Sequence, residues 1–500
     1  MFDLLVKIFK KIKKLSNTID NYKHDTVVQS LPAVALVNQA KKHYEKEEYL
    51  EAKLILDKAM QLPQKDALVF KYSGMVYEKL GQPEEAVNYY RNSADLNPND
   101  KFIWQKLGFA LIAVNKYKEA EKSFENADKI FHGNTDTLTG WGMTLMKQQR
   151  YEDAREKFIQ AAKINRYNFS ALFLAAVMDI RLNDLDKAET RLAFLANVSP
   201  NESNTYEYAH LKFIKKDYEN ALFYAEKSLQ YNSNMLPAYI LISNIYTINR
   251  DCEKALQSFQ TAEEKELISM PLYLEWGITL IKFGLFKEAE EKLNKALEFE
   301  PDDKEIIANI ALCKVMEDEY REAENLINLA PDLYVSRQTR AILTLRNKAF
   351  EEALLLFKEL SKEDIDNPLN YCFMAKCYEE LNDDAKVRTA YKTALEKNPV
   401  SLKTYMDFAN YLFEKKDYAE AQRKLRKALK LDENNSEILN LMFRCCYKLV
   451  KENICEYNIR ETVKIAEKAE LLGDFRYAEE KSELLEFLKE IQGNKQNCEK

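Results

Sequence analysis

Glycine and proline are scarce in this chain. Its 500 residues include 10 Gly and 11 Pro, whereas average proteins contain about 7% and 5% of these residues. A nucleotide-binding α/β enzyme of this length would need more glycine for its loops, so the composition argues against that class. Charged residues make up 31% of the chain, with 29 Tyr and 25 Phe, which favours a long series of amphipathic helices.

The residue patterns of common catalytic and metal sites are also missing. No two of the eight cysteines have C-x-x-C spacing, and none of the four histidines stands near a Cys or a carboxylate at metal-ligand spacing. The phosphate-binding loop GxxxxGK[ST], the zinc motif HExxH and the nucleophile motif GxSxG do not occur. The sequence therefore predicts a protein that is not an enzyme and has no cofactor or metal. The cysteines are expected to be small core residues of a protein in a reducing compartment.

Charge and hydropathy exclude further classes of partner. The 74 basic and 81 acidic residues give a net charge of −7, without the basic excess that is typical of nucleic-acid binders. No apolar run approaches the roughly 18 residues that a membrane-spanning helix requires, and the N-terminus lacks the pattern of a secretory signal. Because 46% of residues are hydrophobic, disorder is excluded. The sequence indicates a folded, cytoplasmic protein that does not bind nucleic acid.

A repeat of about 34 residues runs through most of the chain. Twelve small residues recur at this spacing: Ala40, Gly74, Gly108, Gly142, Ala176, Ala209, Ser243, Gly277, Ala311, Ala341, Ala375 and Ala409. A second series, from Ala52 to Ala421, follows each of these by twelve residues, and a third follows seven residues later. Such a period identifies a repeat architecture, in which small residues allow neighbouring helices to approach closely.

Each repeat is predicted to form two helices. In one repeat, apolar residues at helical spacing precede the turn 79–82, and a second helix spans Pro83 to Leu96. Pro98 then stops the chain from continuing as a helix. A single pair of helices cannot bury its apolar face, so consecutive pairs must stack. The sequence predicts an all-α solenoid.

The motif of the repeat resembles that of a known family. The third repeat carries Trp104, Leu107, Gly108, Ala120, Phe124 and Ala127. These residues are similar to the W-x₂-L-G and A-x₃-F pattern of the tetratricopeptide repeat. The resemblance covers residues 33–470 and implies a right-handed superhelical solenoid of about 13 repeats. It also implies a role in protein–protein interaction and assembly, with little chemistry of its own.

The repeat divides the chain into five predicted segments. They are a basic amphipathic helix (1–19), a linker (20–32), the solenoid (33–470), a capping helix (471–491) and a disordered tail (492–500). The step from Ala311 to Ala341 is only 30 residues, which indicates either a tolerated loop deletion or a change of curvature. About seven residues are inserted at 450–457, within the last repeat.

The first 30 residues have an unusual charge pattern. They contain six Lys and three Asp, a net charge of +3. One face of the predicted helix carries Phe2, Leu5 and Phe9 among other apolar residues. The opposite face carries Lys7, Lys10, Lys11 and Lys14, with Lys13 at the boundary. This pattern suits a helix that lies on the anionic inner face of a membrane. The alternative is a helix that caps the first repeat or packs in the groove.

The resemblance also implies which residues line the concave groove. The first helix of each repeat lines it at positions 2, 5, 9 and 12. The predicted groove residues are Phe109, Ile112, Met143, Met146, Phe173, Val177, Ile180, Tyr206, Phe213, Ile240, Leu274, Ile278, Ile281, Leu312 and Ile342. They are apolar, and the Lys/Asn/Arg clamp of the chaperone-binding version of the family is missing.

The groove residues lead to a functional hypothesis. We expect a non-catalytic scaffold that binds an apolar or amphipathic segment of a partner protein, with peripheral contact to an anionic membrane. Two alternatives remain open. In these alternatives the chain is either a structural subunit of a large assembly or the regulatory arm of an enzyme on another chain.

Overall fold

The computed structural model describes residues 33–62, 66–452 and 454–498. The predicted N-terminal helix and linker, residues 1–32, lie outside the described residues. Within the described part, the regular structure is α-helix, and 27 helices form thirteen consecutive pairs and one final helix. The prediction of an all-α solenoid is confirmed. The helices divide at residue 233 into two compact units.

The first unit holds six pairs. Its helices are α1 (Ala33–Glu45), α2 (Tyr49–Met60), α3 (Ala67–Lys79), α4 (Pro83–Leu96), α5 (Lys101–Ala113), α6 (Tyr117–Ile130), α7 (Thr135–Lys147), α8 (Tyr151–Ile164), α9 (Phe169–Arg181), α10 (Leu185–Val198), α11 (Glu202–Ile214) and α12 (Tyr218–Tyr231). The helix predicted from Pro83 to Leu96 has these bounds in the structure, with the proline in its first turn.

The second unit holds seven pairs and the final helix. Its helices are α13 (Leu236–Ile248), α14 (Cys252–Glu264), α15 (Met270–Phe283), α16 (Phe286–Leu297), α17 (Lys304–Met316), α18 (Tyr320–Ile327), α19 (Tyr334–Arg346), α20 (Phe350–Glu363), α21 (Pro368–Glu380), α22 (Asp384–Lys397), α23 (Leu402–Glu414), α24 (Tyr418–Leu431), α25 (Ser436–Glu452), α26 (Glu456–Leu471) and α27 (Ala478–Cys498).

The first twelve pairs share one kind of turn between their two helices. A single residue in the left-handed region, with φ from 59° to 82°, occupies each turn: Glu47, Gly81, Asn115, Gln149, Asn183, Lys216, Arg250, Gly284, Asp318, Lys348, Asn382 and Lys416. The backbone N–H of the next residue then donates back into the first helix, as from Asp251 N to Tyr246 O at 2.9 Å. This geometry satisfies carbonyls at the helix end and reverses the chain.

The small residues of the repeat lie where helices meet. Ala120 and Ala154, on second helices, have no exposed surface. The large residues four positions later, Phe124 and Phe158, are also fully buried. Small and large side chains thus interlock, which is the packing that the sequence predicts.

Contacts between alternate helices identify the inner side of each unit. Odd-numbered helices pack directly on the next odd-numbered helix at several places, including α1 on α3, α5 on α7, α13 on α15 and α15 on α17. Among the described residues, even-numbered helices have no comparable contact with each other. Helices on the inside of a curve lie closer together than those outside, so the odd-numbered helices line the concave side.

Three departures from the regular repeat are visible in the second unit. The short step after Ala311 shortens α18 to 8 residues. The insertion in the last repeat lengthens α25 to 17 residues and α26 to 16. The final helix continues to Cys498, past the predicted end of the capping helix at 491.

Candidate partner-binding groove

The first unit presents a series of apolar side chains on its odd-numbered helices. Nine predicted groove residues lie there and are all half-buried: Phe109, Ile112, Met143, Met146, Phe173, Val177, Ile180, Tyr206 and Phe213. We call this set the apolar strip. Its residues rest on the core while keeping part of their surface open, as a binding surface requires.

The middle of the apolar strip is continuous between neighbouring helices. Met143 and Met146 on α7 and Val177 on α9 pack against the same buried cluster. Phe109 on α5 packs its ring edge against Phe124, with ring centroids 5.1 Å apart. A methionine side chain is flexible and polarisable, so it adapts to apolar partners of different shape.

The last helix of the strip, α11, adds aromatic and polar groups. The rings of Tyr206 and His210 stack with centroids 6.2 Å apart and an interplanar angle of 5°. Burial raises the pKa of Tyr206 to about 12, and the Glu207 carboxylate contributes to the increase. His210 is the polar member of this surface that the sequence reasoning missed, although its position nine in the repeat could have indicated it.

The second unit matches the predicted groove less well. Ile240, Leu274 and Ile278 are half-buried, as in the first unit. Leu312 and Ile342 are only 3% and 1% exposed, and Ile281 is 9% exposed, so these three offer almost no surface to a partner.

The short helix α18 explains this difference. Because α18 has only 8 residues, α17 and α19 pack directly on each other, and α15 also contacts α17. Their inward faces bury one another, so the predicted groove is closed at these positions.

Contacts between distant pairs show that the second unit curls back on itself. The Arg250 guanidinium, in the turn between α13 and α14, donates a 2.7 Å hydrogen bond to the carbonyl oxygen of Lys397. The Lys403 ammonium lies 5.8 Å from the centroid of the Phe286 ring. Lys397 is the last residue of α22, where the helix leaves free carbonyls that favour cations.

The odd-numbered helix α15 of the second unit also carries charged groups that the groove prediction omitted. Burial lowers the pKa of Lys282, which also lies within electrostatic reach of Glu275, Arg250 and Asp364. Burial likewise raises the pKa of Glu275. Sequence reasoning missed these residues because it took only four positions of each first helix as groove-lining.

The described part of the chain offers neither a metal-binding cluster nor a membrane-spanning helix. No group of three or more His, Cys, Asp or Glu side chains there is placed to hold a metal ion. None of its helices combines the length and the apolar character needed to cross a membrane.

Comparison with known proteins gives matches to one kind of repeat. Models of the tetratricopeptide repeat match residues 67–100, 139–196 and 402–435. BBSome complex member BBS4 of Bos taurus is 21% identical over 308 residues, which are 61% of this chain and 58% of that protein. TPR repeat-containing protein MJ1428 of Methanocaldococcus jannaschii is 23% identical over 408 residues, covering 74% of this chain and 69% of that protein. The chain thus spans 58% of the length of BBS4.

A solved structure has a similar fold. A chain of the APC/C hetero-tetramer Cut9–Hcn1 superposes with a TM-score of 0.50 and 14% sequence identity, covering 90% of this chain and 98% of that one. At this level of identity the likeness concerns the fold alone.

Proposed function

Because the chain is a tetratricopeptide-repeat protein, we propose that it is a non-catalytic scaffold whose apolar strip binds a segment of a partner protein. The observation that carries this proposal is the set of nine half-buried apolar residues on the concave side of the first unit. Apolar side chains that remain partly exposed to water are stabilised when another surface covers them, so a row of them is typical of a binding surface. The segment that fits is apolar or amphipathic.

The names of similar proteins favour a second candidate, permanent membership of an assembly. BBS4 is a complex member and Cut9–Hcn1 is a hetero-tetramer of the APC/C. In a permanent subunit the apolar strip would be covered at all times, and the chain alone would be poorly soluble. A receptor for partner segments is soluble and monomeric by itself.

Contact with a membrane is a further part of the proposal. The basic amphipathic pattern of residues 1–19 favours reversible binding to the anionic inner face of a membrane. The protein would then divide between the cytoplasm and that surface.

The partner can be identified by photo-crosslinking from the apolar strip. We expect a photoreactive phenylalanine at Met146 to capture one protein in cells of the native organism. The same residue placed at Lys122, an exposed position on α6, should not capture it.

Matched variants then test the role of the strip. Phe173→Asp puts a charge where the apolar segment binds, and aromatic anchors of this kind contribute about 2 kcal/mol or more to binding. The affinity for the captured partner should fall at least about tenfold. Phe223→Asp makes the same exchange on α12, where Phe223 is 57% exposed, and should leave the affinity unchanged. A Phe173→Asp variant that binds as well as the wild type would refute the proposal.

A further inference from the structure

Two neighbouring loops of the first unit expose apolar and basic side chains together. One loop follows α6 and the other follows α8, so both lie on the side of the unit where second helices end and first helices begin. Residues 129–131 and 163–167, at these two junctions, are all exposed, and we call them the basic edge. Its basic residues are Lys129, Lys163 and Arg166, and its most exposed apolar or aromatic residues are Phe131, Ile164 and Tyr167.

The two stretches of the basic edge belong to one surface. A Cβ atom on Gly133, in the first loop, would stand 3.4 Å from Cδ1 of Ile164, so the two junctions are in van der Waals contact. The ring of Tyr167, which is 82% exposed, packs edge-on against Phe169 with centroids 6.2 Å apart. Phe169 in turn faces the exposed ring of Phe194 on α10 at 6.5 Å. The exposed apolar groups therefore extend from the end of α6 to α10.

The positive charge of the basic edge is open to solvent. Its two stretches contain no carboxylate. Lys163 and Arg166 form no salt bridge within the described part of the chain, while Lys129 pairs with Glu125 at 2.8 Å. The adjacent Asp128 carboxylate accepts a hydrogen bond from a backbone N–H of the first loop at 3.3 Å. Two unpaired cations thus stand beside exposed aromatic and aliphatic groups.

The equivalent junctions of the second unit have the opposite charge. Phe299 follows α16 and Ile365 follows α20, and both side chains are exposed. Residues 298–303 hold four carboxylates and no basic group, and residues 363–366 hold three carboxylates. Exposed apolar residues at the junctions are therefore common to both units, whereas their combination with positive charge distinguishes the basic edge.

This combination identifies the occupant of the surface. We propose that the basic edge binds an anionic lipid surface. Lys163 and Arg166 are attracted to the lipid headgroups, and the tips of Ile164 and Tyr167 enter the interfacial region, where aromatic rings are favoured. Residues 1–19 do not suit the same surface, because they are basic as well and like charges repel.

The basic edge and residues 1–19 have the reach to contact one membrane. The chain reverses after every helix, so α1 begins on the same side of the unit as α7 and α9, where the basic edge lies. Packed helices are about 10 Å apart, which places α7 about 30 Å from α1, and the thirteen residues 20–32 span at most about 45 Å. Two contacts on one body reinforce each other. This inference rests on the membrane contact in the proposed function and adds a folded site to it.

Titration of the full chain with vesicles tests the proposal. The vesicles contain phosphatidylserine and phosphatidylcholine in equal parts, and bound protein is measured by sedimentation. We expect Lys163→Gln/Arg166→Gln to lower the apparent affinity at least about tenfold, since each basic residue near an anionic surface contributes about a factor of five.

A matched pair of lysines supplies the control. Lys116 and Lys118 are exposed at the opposite end of α6, and α6 has 14 residues, so they lie about 20 Å from the basic edge. This distance exceeds the Debye length of about 8 Å at physiological salt. Lys116→Gln/Lys118→Gln should therefore bind the vesicles like the wild type. Equal affinities for the two double variants would overturn the site.

A second pair of variants tests the apolar part of the contact. Phe131→Ser/Tyr167→Ser should lower the vesicle affinity about tenfold, because these side chains no longer leave water on binding. Phe299→Ser/Ile365→Ser makes a similar change at the acidic junctions and should have no effect. Unfolding midpoints by circular dichroism confirm that the variants fold. Equal affinities for these two variants would also contradict the proposal.

The same measurements separate the basic edge from other contacts. If the wild type binds vesicles and the variants of the basic edge bind equally well, the contact through residues 1–19 stands and the basic edge is refuted. If the full chain ignores the vesicles, both membrane contacts fail. If the variants alter only self-association, measured by sedimentation velocity without vesicles, the edge joins copies of this chain and the proposal is overturned.

Discussion

The ring of Phe124 lies directly against the backbone of Gly108. A Cβ atom on Gly108 would stand 2.6 Å from Cζ of that ring, well inside van der Waals contact. Gly74 faces Tyr90 in the same way, at 2.5 Å, and Gly142 faces Phe158 at 2.6 Å. The small residue of these repeats is therefore needed because the large residue of the paired helix occupies the space where its side chain would be.

Replacing this glycine should destabilise the first unit. Gly108→Leu forces a side chain into the Phe124 ring, and overpacking of this kind costs about 1–3 kcal/mol. Ala113→Leu, an exposed position on the same helix, should change the free energy of unfolding by no more than about 0.5 kcal/mol. Chemical denaturation followed by circular dichroism measures both. Equal midpoints for Gly108→Leu and the wild type would show that the contact with Phe124 is not tight.

A buried ion cluster in the first unit predicts a larger loss of stability than the glycine substitution. Asp179 has no exposed surface and contacts the guanidinium groups of Arg155, at 3.3 Å, and Arg191. Burial lowers the pKa of Arg191, and the nearby Arg155 lowers it further. Asp179→Asn leaves Arg191 without its carboxylate partner, whereas Arg155 keeps Asp184 at 2.6 Å. Removing one partner of a buried ion pair costs about 3–5 kcal/mol.

An exposed aspartate supplies the control for this variant. Asp186 is 97% exposed and pairs with Lys215 at 2.9 Å, and such surface pairs contribute about 0–1 kcal/mol. Asp186→Asn should therefore unfold almost like the wild type in urea. Equal urea midpoints for the Asp179 and Asp186 variants would show that Asp179 does not stabilise the cluster.

The cysteines should differ strongly in reactivity. Burial raises the pKa values of Cys313 and Cys377 to about 12. At pH 8 such thiols are protonated and carry on the order of 1,000-fold less thiolate than a free cysteine. Cys455 is half-buried and should be alkylated by iodoacetamide before Cys313 and Cys377, as measured by peptide mass spectrometry. In urea the three rates should become similar. Native Cys313 reacting as fast as Cys455 would contradict the buried position.

The N-terminal segment gives a prediction from sequence, since residues 1–19 lie outside the described part. Deleting them should abolish sedimentation with phosphatidylserine vesicles at low salt and leave the unfolding temperature nearly unchanged. Replacing Lys10, Lys11, Lys13 and Lys14 by Glu should do the same, because each lysine contributes about 1 kcal/mol near an anionic surface.

A capping role for the same segment would give the opposite pattern. Deletion would then lower the unfolding temperature, and the full-length protein would ignore the vesicles even at low salt.

Local packing rules account for what could be predicted from the sequence. The spacing of small and large residues located every helix pair up to the twelfth, because each repeat contacts mainly its neighbours. The turns were harder to predict in detail. The left-handed position holds Gly81 and Gly284 but also Glu47, Lys216 and Arg250, so residue type alone does not identify it.

The groove was only partly predictable for a different reason. The partial exposure of residues such as Met146 and Phe173 follows from their position within a single repeat. The burial of Leu312 and Ile342 depends on how closely α17 approaches α19, which follows from the short α18 and not from the residues themselves. The hydrogen bond from Arg250 to Lys397 joins residues 147 apart, and no repeat period indicates such a pair.

That hydrogen bond sets an order of events for the second unit. Contacts between adjacent helices form early in folding because the loops that they close are short, whereas a contact across 147 residues must wait until the intervening pairs are stacked. The Arg250 contact is therefore expected to form after the pairs that it spans have stacked. It depends on every pair between α13 and α22, whereas each pair depends mainly on its neighbours, so a substitution that loosens any of those pairs should weaken this contact as well.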